Sequence, residues 1–437
     1  MRASMFRHHV KILCTLACVF VFATARAEEP LPVEQRAGQA LDGAHDEYRT
    51  PLAGDELNTT FLGYPIHVPQ RNRDNVFAVI TLGGMYFTPQ LGGSDVLPIG
   101  ALYWRHRWEK HNVRALVSIF QNELDLTRSF GELELLGHLE NETLPVPTTE
   151  IVNGKEVKES SIWWGTFSGW LGTGWRRPVA PYHVDNDLKL QAFYHAGYLY
   201  SNTSRDTGPQ VRLPPDTLVH GLRLRGRYDS FSRNLLELPH SGWAGGVDLE
   251  LTRRDTWSDA NYGGGDLRGA STRDYVKFSG YLSGAMGIPG LSERNRLLAS
   301  VYGGFTPDHN LDRFSSFRIG GGPFPSENVD LIRHPYPGAV FSQFYASDYA
   351  IGTLEYRREL FFFLYLHLRE TFVWANRNIF SSPQQKFSEA RGDAFSVGLT
   401  SGFLWQSQLY LEYTRDNGFL RNGASGSSLL VLWSKIF

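Results

Sequence analysis

From Val76 to the carboxy-terminal Phe437, the chain is written as segments of about ten residues with apolar and polar side chains in alternation, separated by clusters of Gly, Pro, Asn and Asp. In Gly242 to Arg254, Trp243, Val247, Leu249 and Leu251 share one face, while Asp248, Glu250, Thr252 and Arg254 share the other. In Leu218 to Tyr228, Leu222 and Leu224 oppose Arg223, Arg225 and Arg227; in Ser407 to Arg415, Leu409, Leu411 and Tyr413 oppose Gln408, Tyr410, Glu412 and Thr414. A period of two over this length is the pattern of strands with one wet and one greasy face. The longest apolar run in this stretch is the seven residues Leu360 to Leu366. That is far short of the roughly 18 to 20 residues a spanning helix needs.

Further strands are expected over Val76–Phe87, Leu97–Trp108, Val113–Leu126, Leu188–Tyr200, Tyr275–Ala285, Arg296–Phe305, Phe317–Gly322, Phe341–Asp348, Ala350–Leu360, Phe362–Trp374, Ala394–Trp405 and Ser427–Phe437, with one or two more in 131–175. The total is about sixteen, at roughly 23 residues per strand with its connection, a spacing that suits membrane strands joined alternately by short turns and longer loops. The charged face carries both signs, as a polar lumen would, and aromatics gather near strand ends as an interfacial girdle would. Hydrocarbon requires every backbone group to be paired, and without spanning helices only a closed barrel achieves that. The expected fold is therefore all-β, a transmembrane antiparallel β-barrel of the outer-membrane type occupying residues 76–437. A large secreted all-β protein with one wet face is the alternative.

The amino terminus is of another kind. A basic start, an apolar run from Ile12 to Ala25 and the end Ala25-Arg26-Ala27 form a secretory signal peptide over residues 1–27. Both cysteines of the chain, Cys14 and Cys18, lie inside it, so the mature protein is expected to have no disulfide, thiolate metal site or Cys nucleophile. Residues 28–75 are acidic and broken by Pro30, Pro32, Pro51, Pro65 and Pro69, which reads as an irregular leader, periplasmic or plugging the lumen. Formal net charge is −2 and the basic residues are not pooled, which argues against nucleic acid as a partner.

Three stretches carry a resemblance. The chain closes on Trp433-Ser-Lys435-Ile-Phe437, an aromatic-ended final strand with Ser434 where Gly is commoner. Arg227 to Trp243 reads R-Y-D-S-F-S-R-N-L-L-E-L-P-H-S-G-W, in which Pro239 and Gly242 suit a tight periplasmic turn. Phe317-Arg-Ile-Gly-Gly-Gly322 is followed by Leu331-Ile-Arg-His-Pro-Tyr336 and then Gly352-Thr-Leu-Glu-Tyr-Arg-Arg-Glu-Leu360. Together they resemble the bacterial surface antigen family, the BamA/TamA superfamily of outer-membrane barrels. In that loop motif Ile332, Arg333 and Tyr336 match, while His334-Pro335 stands where Gly is expected. Residues 28–75 are too few for the POTRA domains that usually precede such barrels, so the resemblance is to a member lacking them.

The resemblance implies insertion or translocation of proteins, or lipids, at the outer membrane of a Gram-negative-type bacterium. The partners it implies are outer-membrane lipid, client outer-membrane or surface proteins, and periplasmic accessory proteins. It also implies that Arg333 folds into the lumen and latches onto an acidic wall residue; Glu355 and Glu359 share a strand face with Arg357 and are the candidates. Arg369 stands near the place where the family has an inner acid on the next strand, and Glu370 points to the opposite face. Gly83-Gly84 in the first strand would weaken the seam with the last strand, where the family opens laterally; a kink for barrel curvature is the other reading. There is no H-E-x-x-H and no G-x-S-x-G, and the triglycines at 263–265 and 320–322 lack a phosphate-loop context. No cofactor and no enzyme activity are expected. A passive solute channel is the second functional reading, and an outer-membrane hydrolase the third.

Overall fold

The alternating stretches become strands that follow one another round a closed barrel, each antiparallel to the next. A computed structural model describes residues 48–69, 76–119, 121–143, 146–183, 185–260, 272–308, 311–320, 336–339, 343–380, 387–402 and 407–437. The signal peptide, most of the leader, and the expected loop residues Ile332 and Arg333 lie outside them. The barrel strands are β1 (Val76–Leu91), β2 (Ser94–Arg107), β3 (His111–Ser118), β4 (Asn122–Phe130), β5 (Leu133–Thr143), β6 (Lys155–Pro178), β7 (Asp187–Thr203) and β8 (Thr217–Asp229). They continue as β9 (Pro239–Arg254), β10 (Asp274–Gly287), β11 (Asn295–Phe305), β12 (Phe344–Phe361), β13 (Leu364–Asn378), β14 (Phe387–Ser401), β15 (Ser407–Asp416) and β16 (Gly426–Ile436). β16 pairs with β1 to close the ring.

The two faces sort as the alternation predicts. Leu222, Leu224, Val247, Leu251 and Leu354 are exposed on the outside, while Asp248, Thr252, Arg254, Glu355 and Arg357 are buried inside. Among the described residues, no helix is long and apolar enough to cross a membrane. The fold is a sixteen-stranded antiparallel barrel of the outer-membrane type.

Several expected spans are corrected. Val113–Leu126 is not one strand but the hairpin β3–β4: Ser118 N donates to Gln121 O (3.0 Å) and Ser118 Oγ to the same oxygen (2.7 Å). Phe341–Asp348 and Ala350–Leu360 are one strand, β12, whose alternation slips at a register shift between Ala346 and Asp348. Of the described part of Phe317–Gly322, residues 317–320, Phe317–Ile319 pairs against β12. The stretch 131–175 supplies β5, most of β6 and the short strand Thr148–Val152, which folds back on the start of β6. The leader is not irregular throughout, since Leu57–Phe61 and Tyr64–Val68 form a two-stranded hairpin. Phe61 holds it edge-on to Phe361 and Phe363 at 5.2 and 5.1 Å.

One end of the barrel, here the near end, carries the start of β1 and the carboxy terminus; the opposite end is the far end. The longest connection, 306–343, is at the far end, and its described parts cross the mouth to the opposite wall. Arg313 donates to Ser160 O (2.7 Å) and Thr148 O (2.6 Å) and stacks on Phe380; Arg318 pairs with Glu142 at 2.6 Å. Asp312, fully buried, accepts from Arg254 at 3.0 Å. These are guanidinium groups removed from water, and their multiple partners offset the desolvation.

The near end is also crossed. The 230–238 connection is not the tight turn expected from Pro239 and Gly242, because Ser230 and Trp243 close the hairpin and the residues between them fold inward. Gly242 has φ +102, and a Cβ there would stand 2.4 Å from Ser230 O, so its glycine serves the neck of this excursion. Asn234 Oδ1 accepts from Leu236 N and Leu238 N, shaping the tip, and Gln408 Nε2 reaches across to Leu236 O at 2.9 Å.

Candidate functional site: the β1–β16 seam and the lumen beside it

The seam runs from Ser427 opposite Thr88 to Ile436 opposite Val79, and Phe437 N extends it with a bond to Ala78 O at 2.9 Å. Trp433 and Phe437 point outward with much of their surface exposed, and Lys435 shares their face. Leu430, Leu432 and Ile436 point inward and are buried against Met85, Phe87 and Leu91 or against Val79, Tyr103 and Leu116. This explains why the last strand is apolar on both faces: its inner face meets packed side chains, not water. Thr81 and Ser434 share a buried hydroxyl bond at 2.9 Å within that layer.

The two glycines do different things. Gly83 lies opposite Leu432, and a Cβ on it would stand 2.0 Å from the Val431 carbonyl oxygen. At Gly84 the nearest atom would be Leu97 O at 3.2 Å. Gly83 therefore allows a backbone approach that no other residue permits, whereas Gly84 is tight but not forbidden.

The inward carboxylates of β12 have partners of their own. Glu355 accepts from Arg357 (2.7 Å), Arg369 (3.0 Å) and His367 Nδ1 (2.8 Å), and Arg369 passes on to Glu412 (2.5 Å). His367 Nε2 meets Thr400 Oγ1 at 2.8 Å, so this wall is a continuous hydrogen-bonded network. Glu359 binds the leader instead: Thr50 Oγ1 donates to it at 2.6 Å, and the Tyr48 hydroxyl donates as well. Burial and the adjoining Glu359 carboxylate push the Tyr48 phenol above its usual range. Arg294 covers the Tyr48 ring at 3.9 Å, and Leu52 bridges Asn234. Tyr336, from the expected loop motif, is fully buried; its hydroxyl donates to Asp416 at 3.0 Å, and Phe419 packs beside its ring.

The opposite side of the lumen stays polar. A cavity of about 290 Å³ is lined by residues that include Arg114, Glu123, His138, Arg223, Glu250 and Lys277. Arg223 lies over Trp170 at 4.6 Å and pairs with Asp248 at 2.6 Å. Among the described residues, no group of three or more His, Cys, Asp or Glu side chains could hold a metal ion. Sequence reasoning missed the leader's grip on Glu359, the cross-lumen reach of Arg313, and Arg421, which is fully buried beside the seam. The local signal for Arg421 is the neighbouring Asn422-Gly423 turn; of its partners Ser427 is six residues on, whereas Pro89 is 332 residues away.

No family model and no curated protein matches the chain. Among solved structures, BamA from Haemophilus ducreyi lacking POTRA domains 1–3 is similar, with a TM-score of 0.51 at 10% identity over 88% of this chain and 75% of that one. CdiB from Acinetobacter baumannii gives 0.49 at 9% identity over 87% of this chain, which spans 65% of the CdiB chain. CdiB from Escherichia coli gives 0.48 at 12% identity over 90% and 68%. At such identities the BamA likeness is a likeness of fold. The chain thus has the sixteen-stranded barrel fold of BamA, closed between its first and last strands.

Proposed function

We propose that the protein resides in the outer membrane, near end toward the periplasm, and inserts or translocates client proteins through the β1–β16 seam. The observation that carries this reading is the seam itself. At Gly83 the strands meet so closely that a methyl group has no place, while the outer face is mostly apolar, with Lys435 toward one end and Thr88 opposite Ser427 at the other. Parting β1 from β16 exposes two unpaired edges, and an extended client strand satisfies them by β-augmentation. Client folding supplies the energy, and the role is not enzymatic. Outer-membrane lipid and periplasmic accessory proteins complete the expected set of partners.

The test is quantitative proteomics and lipid analysis of outer membranes from a deletion strain, complemented by the wild type. Selective loss of particular barrels or surface proteins, restored by the wild type, supports the reading and names the clients. An unchanged outer membrane refutes it. The polar cavity beside Trp170 favours a second reading, a solute channel, for which steady conductance in planar bilayers is the signature.

A further inference from the structure

At the far end of the seam, three connections meet. The tip between Thr148–Val152 and β6 crosses the mouth and reaches the β15–β16 connection: Asn153 N donates to Asn422 O (3.0 Å) and Gly154 N to Arg421 O (2.7 Å). From the β1–β2 turn, Gly92 N donates to Gly154 O at 3.0 Å. Both tips are Asn-Gly pairs in the left-handed region, with φ of 50 and 78 at Asn153 and Gly154 and of 49 and 119 at Asn422 and Gly423. They fit so closely that a Cβ on Gly423 would stand 2.4 Å from Asn153 Oδ1. Beneath them Arg421 is fully buried, and one of its amino groups donates to Pro89 O on β1 (2.6 Å) and to Ser427 O on β16 (3.3 Å). A single side chain thus bonds both seam strands, under a lid that joins the loops on either side.

The near end of the seam is made differently. It is held by bonds between the two strands, such as Phe437 N to Ala78 O and Thr81 to Ser434. Strands that separate from a frayed end lose one bond at a time, whereas parting the far end requires the Arg421 contacts and the tip contacts to break together.

We propose that Arg421, with the Asn153-Gly154 tip and the β1–β2 turn, clasps the far end of the seam, so that the seam parts from its near end and the far end serves as the hinge for an entering polypeptide strand. This rests on the insertion reading and adds its direction: a client enters the seam from the side of Phe437.

The experiment is hydrogen exchange read by mass spectrometry on the full-length protein in lipid nanodiscs. In the wild type, amides at Ile436, Phe437 and Val79 should exchange before those at Ser427 to Leu430 and Tyr86 to Phe87. Arg421→Ala should raise far-end exchange about tenfold or more, as loss of buried charged hydrogen bonds implies, and leave the near end unchanged. Should that variant fail to fold, the pair Asn153→Cys and Asn422→Cys, oxidised, should slow far-end exchange without slowing the near end. Far-end exchange that precedes near-end exchange in the wild type overturns the proposal, as does a near end slowed by the disulfide. No client enters this measurement, so its failure is separate from failure of the insertion reading, which the deletion strain tests.

Discussion

Gly83 faces Leu432 across the seam with the Val431 carbonyl where a methyl group would go, while Gly84 leaves 3.2 Å to Leu97 O and Gly100, on the neighbouring strand, leaves 3.8 Å to its nearest atom. Gly83→Ala should therefore destabilise the barrel by about 1–3 kcal/mol, as overpacking does. Gly84→Ala should cost less and Gly100→Ala almost nothing. Urea unfolding in lipid, followed by tryptophan fluorescence, ranks the three; equal effects would mean that the close approach at Gly83 is unimportant. From the sequence the dipeptide read either as a weakening of the seam or as a kink for curvature, and the close approach at Gly83 was not legible. Alternation says which face a residue takes, yet it says nothing about how near the partner backbone lies. Glu355 and Glu359 illustrate the same limit. Their shared inward face follows from spacing, whereas the split of their partners, Arg357, Arg369 and His367 on the same and the next strand for one and leader hydroxyls some 300 residues away for the other, does not.

The leader strap from Tyr48 to Asp55 and the inward connection 230–238 close the near mouth together: Ala53 N bonds Arg233 O at 2.8 Å and Leu235 N bonds Pro51 O at 3.2 Å. Glu359→Gln should weaken this docking by about 1.5–3 kcal/mol, the worth of charged hydrogen bonds. The expected result is faster proteolysis within residues 48–55 and an unchanged barrel; equal protection in wild type and variant would show that Glu359 does not hold the strap. At the far mouth, Arg313→Ala removes the anchor to Thr148 and Ser160 and should speed cleavage within 306–320 and raise single-channel conductance. No change in either would mean that the loop is held elsewhere. The sequence marked these connections as loops by their Gly, Pro and Asn content. A plugging leader and an inward Arg333 loop were among the expectations, but the wall each segment meets was not legible, because a loop's destination depends on the wall opposite it. The hairpin Leu57–Phe61 with Tyr64–Val68 escaped notice for a related reason: five-residue strands are marginal alone, and this one leans on Phe361 and Phe363.

The barrel as a whole is asymmetric inside. Beside the seam the lumen is filled by Met85, Phe87, Leu430 and Leu432, and on the other side it keeps charged walls around a cavity of about 290 Å³. Both mouths are crossed by the protein's own segments, and under the proposed function a client strand passes along the seam rather than the axis. Period-two alternation made the barrel and its strand number legible, because each membrane strand must sort its faces independently. Closure was legible from the need to pair every backbone group in hydrocarbon, whereas the expectation that the first and last strands part came only from the resemblance. The most direct test locks that line. Ile80 and Lys435 are directly opposite in the seam, and Ile80→Cys with Lys435→Cys places a disulfide across it. In the deletion strain, the double variant should restore the outer-membrane proteome when reduced and fail to restore it when oxidised. Full restoration by the oxidised, locked barrel would contradict the seam as the working part of the molecule.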